Sequence, residues 1–392
     1  MALLDDIPAP TVRLHPIANG RNEWVALGMD LGSGSLPALL PDLLSALFGT
    51  PDLLAAIAPL DCLLLLDTPG QLTPRLLALL PPNRVVLGFT ASALAQEGTA
   101  QQLSALIEGG YRLMLDGPLP PGLARPASVR AVSMDCRDGA PPAASLLAQF
   151  GPHLARGVDS AARLAECERA GFTWFSGDYP LAVEAGGHGQ DGTSRRRLLG
   201  LLALLATDAD SRELELLLKQ DPALSYHLLT LVNSAAFAVN TTITGYAQAI
   251  AVLGRRQLQR WLQLLLYARS EADGLPNLLL PLAALRAGQL ELLCKRDGGD
   301  RDAQDLAFMT GAFSLLDRLL GMPMAEILAG LRLPGDVAAA LLERRGVLGR
   351  RLLLVERGAD GALLAAAGID AGTWWDSQLH AHHWAIQVGR NV

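Results

Sequence analysis

Seven histidines are the side chains of this 392-residue sequence that could most readily bind a metal ion and activate water. They are His15, His153, His188, His227, His380, His382 and His383. Only His227 lies in a leucine-rich segment typical of packed helices, and one imidazole cannot hold a metal. His380, His382 and His383, in LHAHHW, offer neither an i,i+4 pair nor a nearby cysteine or glutamate. We therefore predict no metal site, and interpret LHAHHW as part of a terminal helix whose tryptophans pack against the other helices.

Arginines provide the second candidate chemistry. Arg255, Arg256 and Arg260 form a basic cluster on one predicted helix, and Arg195–Arg197 form another upstream. Guanidinium groups bind phosphates and carboxylates in a fixed geometry, so the cluster could contact an anion or an acidic partner. A solvated helix face is the simpler interpretation, and the sequence favours it.

The composition is that of a globular protein long enough for two domains, with 50% apolar and 18% charged residues. Apolar runs such as Leu198–Ala206 are shorter than the ~18 residues of a membrane span, and the N-terminal residues lack the pattern of a secretory signal. Cys62, Cys136, Cys167 and Cys294 lie far apart without CxxC spacing, which is typical of buried thiols in a reducing compartment. These features predict a cytoplasmic protein.

The net charge of −7 is unevenly distributed. Residues 1–190 contain 11 arginines, no lysine and 18 acidic residues, whereas residues 191–392 contain 21 basic and 21 acidic residues. Neither half has the basic excess of a dedicated nucleic-acid binder, so the charge distribution disfavours a nucleic-acid partner.

The clearest domain boundary is the segment EAGGHGQDGTS at Glu184–Ser194, which divides the chain into residues 1–190 and 191–392. Before it, short apolar runs alternate with helical stretches, as in a parallel α/β sheet or barrel. The predicted strands include Cys62–Leu66, Arg84–Leu87, Tyr111–Leu115 and Val129–Met134.

The second half predicts an all-α fold. Asp210 with Glu213, and Asp221 with Pro222, are helix-start signals. One predicted helical face comprises Leu224, Leu228, Leu231 and Ala235. Further predicted helices are Arg255–Ala268, Asn277–Arg296, Ala303–Leu320, Met324–Leu331 and Asp336–Arg344.

Residues Glu213–Ala268 contain the most specific motifs. The strings DPALSYHLLTLVNSAAF and YAQAIAVLGRRQLQRWL resemble the core of the HDOD family, over about residues 195–360. That family is related to HD-type metal phosphohydrolases but lacks their metal-binding His-Asp pair, and this sequence contains no His-Asp dipeptide. The resemblance implies a protein-interaction or signal-output module. Within it, Asn233 and Ser234 are predicted to pair backbone groups at a helix end, and Gly254 to permit a tight turn.

Fragments of the first half resemble the EAL family of cyclic di-GMP phosphodiesterases, which fold as TIM-like barrels. They are Leu14–Ile17 (LHPI), Pro81–Thr90, Gly110–Gly117, residues 129–135, and residues 157–180 with Phe175-Ser176-Gly177 in place of an FQG-type segment. An EAL domain joined to an HDOD domain is a known bacterial signalling arrangement. The resemblance therefore implies a degenerate EAL barrel followed by an all-α HDOD domain.

The positions at which the EAL resemblance implies metal ligands have been eroded. The signature glutamate is missing from VALGMD at Val25–Asp30, the next glutamate position is Gly88, and the second aspartate of a pair is Gly117. The acidic candidates that remain are Asp116 and Asp159, and Ser176 replaces the glutamine of the closing segment. The lysine that this chemistry requires is absent, since no lysine precedes Lys219. We predict no catalytic residues, no metal and no cofactor.

The leading hypothesis is a catalytically inactive signalling adaptor that binds a protein partner of unknown identity. Leucine-rich segments such as Leu36–Leu47 would pack in a core or form an interface, and a homodimer is consistent with the second case. The alternative is a nucleotide receptor that does not hydrolyse its ligand. The charge of −7 opposes a dianionic ligand unless Arg13, Arg21 and Arg112 line the barrel opening. An HD-type hydrolase with an unusual site is the third hypothesis.

Overall fold

The structure is a computed structural model. It describes residues 12–30, 40–49, 52–138, 151–182, 253–268, 275–331, 333–358 and 361–391, together with single positions between 200 and 249. The chain divides into two compact units, Met1–Ala182 and Val183–Val392. The predicted division at residue 190 stays a prediction, and the predicted linker Glu184–Ser194 lies outside the described residues.

Strands of the first unit form a closed barrel in the order β1 to β8. They are β1 Arg13–Asn19, β2 Trp24–Asp30, β3 Asp61–Leu66, β4 Val85–Thr90, β5 Arg112–Asp116, β6 Ala131–Asp135, β7 Leu154–Arg156 and β8 Trp174–Phe175. Strand β1 is antiparallel to both β2 and β8, and all the other neighbours are parallel. The predicted α/β barrel is therefore confirmed.

The predicted strands coincide with β3 to β6 to within three residues at each end. These runs are apolar on both faces because one face fills the barrel and the other packs beneath the surrounding helices. The helices of this unit are α1 Leu40–Phe48, α2 Asp52–Ala56, α3 Pro74–Leu77, α4 Thr99–Glu108 and α5 Ala161–Ala170. A cluster of buried side chains is contributed by seven strands, namely Ile17, Ala26, Leu63, Val86, Met114, Ala131 and Leu154.

The second unit is helical in its described part. Its helices are α6 Arg255–Leu265, α7 Leu279–Arg296, α8 Arg301–Phe313, α9 Leu316–Leu320, α10 Met324–Ala329, α11 Gly335–Glu343, α12 Gly346–Arg357, α13 Gly361–Ala367 and α14 Ala371–Asn391. The predicted helices correspond to α6, α7, α10 and α11, with ends that differ by up to three residues. The sequence did not predict α12 or α13.

The prediction of one helix over Ala303–Leu320 was wrong, because the chain turns between α8 and α9. Both the backbone N–H and the hydroxyl of Ser314 donate to the carbonyl of Gly311, at 3.3 and 2.8 Å. This tight turn replaces the regular i→i−4 hydrogen bonding of an α-helix. The backbone of Leu315 then leaves the helical region, at φ −115° and ψ 12°.

Two predicted backbone roles are confirmed in the second unit. The Asn233 amide group donates to the carbonyls of Leu229 and Ile243, each at 2.8 Å, and its oxygen accepts from the Ile243 N–H at 2.7 Å. Gly254 precedes α6 with φ 72°, a conformation that side-chain-bearing residues rarely adopt. The helix signals at Asp210, Glu213 and Asp221-Pro222, with Arg195–Arg197 and Ser234, lie outside the described residues.

The four cysteines are buried free thiols, as predicted. Burial raises the pKa of the Cys62 thiol to about 12. In the part of the chain that the structure describes, no helix combines the length and apolar character needed to cross a bilayer. The cytoplasmic location stays a prediction.

Candidate functional site

The candidate site is the end of the barrel at which the parallel strands finish, called the barrel mouth here. Side chains alternate between the two faces of a strand. Five residues of the buried cluster face the barrel interior, namely Leu63, Val86, Met114, Ala131 and Leu154. The residue two positions after each of them therefore faces the interior as well. These residues are Leu65, Gly88, Asp116, Ser133 and Arg156. The carboxyl ends of barrel strands are where ligands and catalytic groups lie in this architecture.

Gly28 of β2 lies beside His15 of β1 in the barrel wall. A Cβ atom at residue 28 would come within 2.2 Å of His15 Nε2 and 2.3 Å of its Cε1. The imidazole ring therefore occupies the space that a side chain at residue 28 would need. Gly28 belongs to the VALGMD segment, from which the signature glutamate is missing, and the imidazole leaves no room for a larger residue at this position.

Gly88 of β4 is likewise covered by a neighbour. A Cβ atom at residue 88 would lie 2.3 Å from Leu65 Cδ2, and Leu65 is the residue paired with Gly88 on β3. The leucine methyl group is mobile about its side-chain torsions, so this contact is softer than the one at Gly28. An apolar side chain occupies the position at which the resemblance implied a carboxylate.

Asp116, at the end of β5, is held by the guanidinium group of Arg156 at the end of β7. Arg156 Nη2 donates to the two carboxylate oxygens at 2.7 and 2.9 Å, and its Nε donates to Ser133 Oγ at 2.9 Å. The side chains are 17% exposed for Asp116 and 27% for Arg156, so water screens the pair only in part. The surviving aspartate of the predicted pair is therefore neutralised within the mouth.

Gly117 follows Asp116 with φ 87°, and its N–H donates to the Ser133 carbonyl at 2.8 Å. No atom lies within 4 Å of a Cβ built there, so an aspartate would find space but would need a left-handed backbone. Asp159 is exposed and accepts a hydrogen bond from Ser160 Oγ at 2.9 Å, whereas Ser176 is 5% exposed. Neither Asp159 nor Ser176 joins the Asp116 cluster through a hydrogen bond.

A second ion pair lies at the end of β6. Arg137 donates to both carboxylate oxygens of Asp135, with Nη2 at 2.6 Å from Oδ2. Hydrogen bonds from the Arg137 side chain hold the pKa of Asp135 below its ordinary value. The pair is largely exposed, at 67% for Arg137 and 38% for Asp135. It adds a second neutralised carboxylate near the mouth.

These residues do not fit the two-metal site that the EAL resemblance implies. Two divalent ions ~3.5–4 Å apart need several converging carboxylate oxygens, and the mouth offers Asp116 with a guanidinium group already bound to it. Among the described residues, no group of three or more His, Cys, Asp or Glu side chains is arranged to hold a metal ion.

Arg13, Arg21 and Arg112, the candidates for lining the mouth, divide between the two ends of the barrel. Arg13 begins the antiparallel strand β1 opposite Asp30, at the mouth. Arg21 lies in the β1–β2 turn, and Arg112 begins β5 with its Nη1 2.7 Å from Asp61 Oδ2 at the start of β3. Arg21 and Arg112 therefore do not line the mouth, because both lie at the opposite end of the barrel. Arg137 and Arg156, which the sequence analysis missed, are the basic groups found at strand ends of the mouth.

The basic cluster of α6 is paired with acidic residues of the neighbouring helices. Arg256 Nε lies 2.7 Å from Asp305 Oδ2, and Arg260 binds both Asp305, at 3.0 Å, and Glu291, at 2.5 Å. With a side chain only 15% exposed, Arg260 is not part of a solvated face, so that interpretation was wrong for this residue. The side chain of Arg255 lies outside the described part, and contact of this cluster with a partner or anion stays a prediction.

The histidines of LHAHHW lie on the terminal helix α14, as predicted. The Nδ1 atoms of His380 and His382 lie 2.8 Å from the carbonyls of Asp376 and Gln378. Burial lowers the pKa of His382 to about 4, so its imidazole is neutral. Trp384 packs against Trp261 of α6, with a distance of 4.7 Å between ring centroids, which confirms that the terminal helix packs on the others.

Comparison with known proteins identifies the domain in the second unit. Residues 198–276 match the HDOD domain. The chain is 27% identical over 252 residues to the cyclic di-GMP phosphodiesterase CdgJ of Vibrio cholerae, covering 61% of this chain and 56% of that protein. It is 29% identical over 141 residues to the uncharacterized protein YuxH of Bacillus subtilis, covering 36% of this chain and 34% of that protein. The matches thus span about half and one third of these curated relatives.

Solved structures of EAL proteins match the first part of the chain. The EAL domain of Mycobacterium smegmatis DcpA is 17% identical and covers 43% of this chain and 90% of its own, with a TM-score of 0.36. A calcium and cyclic di-GMP complex of Klebsiella pneumoniae BlrP1 is 19% identical and covers 43% of this chain and 54% of its own, with a TM-score of 0.33. The chain therefore contains an HDOD domain, as its motifs predicted, and the assignment of the barrel to the EAL family stays a prediction.

Proposed function

We propose that this chain is a signalling protein of a cyclic di-GMP network that does not hydrolyse phosphodiesters and acts by binding a protein partner. The link to cyclic di-GMP rests on the EAL–HDOD organisation and on the named activity of the CdgJ relative. The absence of hydrolysis is inferred from the chemistry of the barrel mouth.

The ion pair between Asp116 and Arg156 carries this proposal. A metal ion at Asp116 would have to displace a guanidinium group that binds both carboxylate oxygens, and the resident positive charge would repel it. Metal-assisted hydrolysis depends on lowering the pKa of a bound water, and neither Gly28 nor Gly88 supplies a further carboxylate for this purpose. The carboxylate of Asp116 is therefore neutralised by a side chain of the mouth itself and not by a metal ion.

The name of the CdgJ relative favours the opposite conclusion. That relative is called a phosphodiesterase, and its identity with this chain is 27%. At this distance, the side chains of the mouth are a better guide to chemistry than the shared organisation, because function resides in a site. Residues 1–190 also lack any lysine.

Hydrolysis of cyclic di-GMP tests this proposal. The full chain is incubated with the dinucleotide and either magnesium or manganese, and the linear product is measured by chromatography. We expect no product above that of a protein-free blank. Turnover that disappears in the Asp116→Ala variant would overturn the proposal, whereas turnover that persists in this variant would indicate a contaminating enzyme.

Exposed apolar side chains are the candidates for contact with a protein partner. Leu119 and Leu123, in the loop after β5, are 41% and 37% exposed, and Tyr226 is 68% exposed. Exposed apolar groups of this kind are enriched at protein interfaces. Affinity capture with the full chain, compared with a Leu119→Ser, Leu123→Ser variant, tests whether the loop binds a partner. Light scattering of the purified chain tests the homodimer.

A receptor that binds cyclic di-GMP without hydrolysis is the second candidate. It is favoured by Arg137 and Arg156 at the ends of β6 and β7, since guanidinium groups bind phosphates well. Calorimetric titration of the full chain with cyclic di-GMP separates the two candidates. Micromolar binding that weakens in Arg156→Ala supports the receptor, and no measurable heat supports the adaptor.

A further inference from the structure

The loop that follows β5 carries two exposed leucines of the first unit. Its residues Gly117–Ala124, with the sequence GPLPPGLA, are called the proline loop here. Leu119 is 41% exposed and Leu123 is 37% exposed, and the described part of the first unit holds no other large apolar side chain with comparable exposure. A single exposed leucine is ordinary on a protein surface, but two on one short loop form a patch.

Prolines restrict the backbone of the proline loop. The ring fixes φ at about −65° in Pro118, Pro120 and Pro121. A residue that precedes a proline is confined to extended conformations, and this applies to Leu119 and to Pro120. No helix or strand is formed at these positions. The stretch from Pro118 to Pro121 is therefore a short segment of polyproline II helix.

A tight turn ends this segment. The Leu123 N–H donates to the carbonyl of Pro120 at 3.2 Å, and Gly122 has φ 82°. Proline at the second position and a glycine with positive φ at the third are typical of a type II turn. Beyond the turn, Arg125 Nη1 donates to the carbonyl of Arg130 at 3.1 Å. These constraints hold the proline loop in one shape before any partner binds.

The exposed edge of the segment is apolar and uncharged. A polyproline II helix has three residues per turn, so Pro118 and Pro121 lie on the same edge. Both are exposed, whereas Pro120 is partly buried. The proline loop contains no charged side chain, so its recognition depends on apolar contacts. Aromatic-lined grooves bind segments with this proline spacing, because a preformed polyproline II helix loses little conformational entropy on binding.

We propose that the proline loop docks as a polyproline II ligand into a groove of a partner protein that is lined by aromatic side chains. Pro118 and Pro121 enter the groove, and Leu119 and Leu123 pack along its rim. The inference rests on the proposed function, for which it names the chemistry of the partner surface. A protein groove is favoured over a membrane because the loop has no basic group to bind anionic lipid headgroups.

Calorimetric titration of the full chain tests the proposal with three probes that have aromatic-lined grooves, namely an SH3, a WW and an EVH1 domain. We expect at least one probe to bind with a dissociation constant below about 1 mM. The double variant Pro118→Ala, Pro121→Ala should weaken this binding at least tenfold. Alanine tolerates the backbone conformation of both exposed positions, so the fold is retained.

The matched control for this variant is Pro74→Ala. Pro74 is exposed and begins α3 of the same unit, outside the proline loop, so its replacement should leave the affinity unchanged. Failure of all three probes to bind would overturn the proposal. Equal affinities for wild type and the double variant would overturn it as well.

Cross-linking examines the natural partner. A benzophenone side chain is introduced in place of Leu119 of the full chain, which is then irradiated in a lysate of the source organism, and mass spectrometry maps the attachment point. We expect attachment to a protein at a site lined by tryptophan, tyrosine or phenylalanine. The peptide GPLPPGLA should compete, and a scrambled peptide should not. Attachment to a site without aromatic residues, or no competition by the peptide, would contradict the proposal.

Two further outcomes separate the proline loop from the alternatives. Sedimentation with phosphatidylglycerol vesicles that is lost in Leu119→Ser, Leu123→Ser would assign the loop to a membrane and overturn the proposal. A partner captured equally by wild type and Pro118→Ala, Pro121→Ala would overturn the role of the loop and leave the adaptor function standing. Hydrolysis of cyclic di-GMP would overturn the adaptor function, whatever the probes show.

Discussion

The barrel mouth and the ion-pair cluster of α6, α7 and α8, called the helical cluster here, are built from the same kinds of charged groups, yet they differ in how the charges are connected. In the mouth, Asp116 meets Arg156 and Asp135 meets Arg137, one acid to one base. In the helical cluster, Asp305 binds both Arg256 and Arg260, and Arg260 also binds Glu291, so the four charges form one connected network. The comparison teaches that the likeness of a domain to an enzyme does not identify its binding surface, since the balance of charge at each site decides what it can attract.

The largest expected effect is that of Arg260→Ala. This change leaves Glu291 and Asp305 without one partner and exposes the ring of Phe308, so the free energy of unfolding should fall by about 3 kcal/mol. Urea denaturation followed by circular dichroism and tryptophan fluorescence measures it. Arg350→Ala is the matched control, and its effect should stay within about 0.5 kcal/mol. A loss for Arg260→Ala no larger than that of the control would contradict a stabilising role of the helical cluster.

The pH dependence of stability should be set in the helical unit by His382. In the unfolded chain its pKa is the ordinary ~6.5, while in the folded unit burial holds it at about 4. Between these pH values the unfolded state binds more protons, so the stability due to the neutral imidazole is present above about pH 6.5 and is lost as the pH falls toward 4. The loss is about 3 kcal/mol.

Urea denaturation at several pH values checks this expectation. His382→Gln should flatten the slope between pH 4 and 6.5, while His383→Gln, at an exposed position of the same helix, should leave it unchanged. Equal slopes for wild type and His382→Gln would show that His382 is not buried in its neutral form.

Within the mouth, Arg156→Ala should destabilise the barrel more than Arg137→Ala. Asp116 is 17% exposed and loses the donor bound to both its oxygens, which costs about 2 kcal/mol. Asp135 and Arg137 are largely exposed, so their pair contributes less than about 1 kcal/mol. Denaturation curves of the two variants make the comparison. A reversed order would contradict Asp116–Arg156 as the central pair of the mouth.

The smallest expected effect is the difference in stability between alanine variants of the two glycines of the mouth, Gly28 and Gly88. Gly28→Ala forces the His15 ring to move and should cost about 1–2 kcal/mol, whereas Gly88→Ala meets only the flexible end of Leu65 and should cost less. Thermal unfolding compares them. The double variant His15→Ala, Gly28→Ala should recover part of the loss, and no recovery would mean that the imidazole does not fill the space beside Gly28.

The sequence predicted the strands and many of the helices because their signals are local. Buried strands read as short apolar runs, and glycines such as Gly254 mark helix starts. It failed at Ala303–Leu320, where the Ser314 turn interrupts an apolar pattern that continues across it. A pattern of hydrophobicity records which residues are buried and not where the backbone turns.

The site was less predictable because it depends on pairs that are distant in the sequence. Asp116 and Arg156 are 40 residues apart in the sequence, and Arg260 and Glu291 are 31 residues apart. The sequence could not place the candidates Arg21 and Arg112 at one end of the barrel, because the two ends are distinguished only by strand direction and register. The absence of lysine from residues 1–190, by contrast, needed no structure.

Titration of the full chain with Mn²⁺, followed by electron paramagnetic resonance of the free ion, tests most directly whether Arg156 takes the place of a metal at Asp116. The account predicts no stoichiometric binding at submillimolar Mn²⁺, and the same free-ion signal for wild type and Asp116→Asn. Tight binding of one or two equivalents that is lost in Asp116→Asn would contradict it.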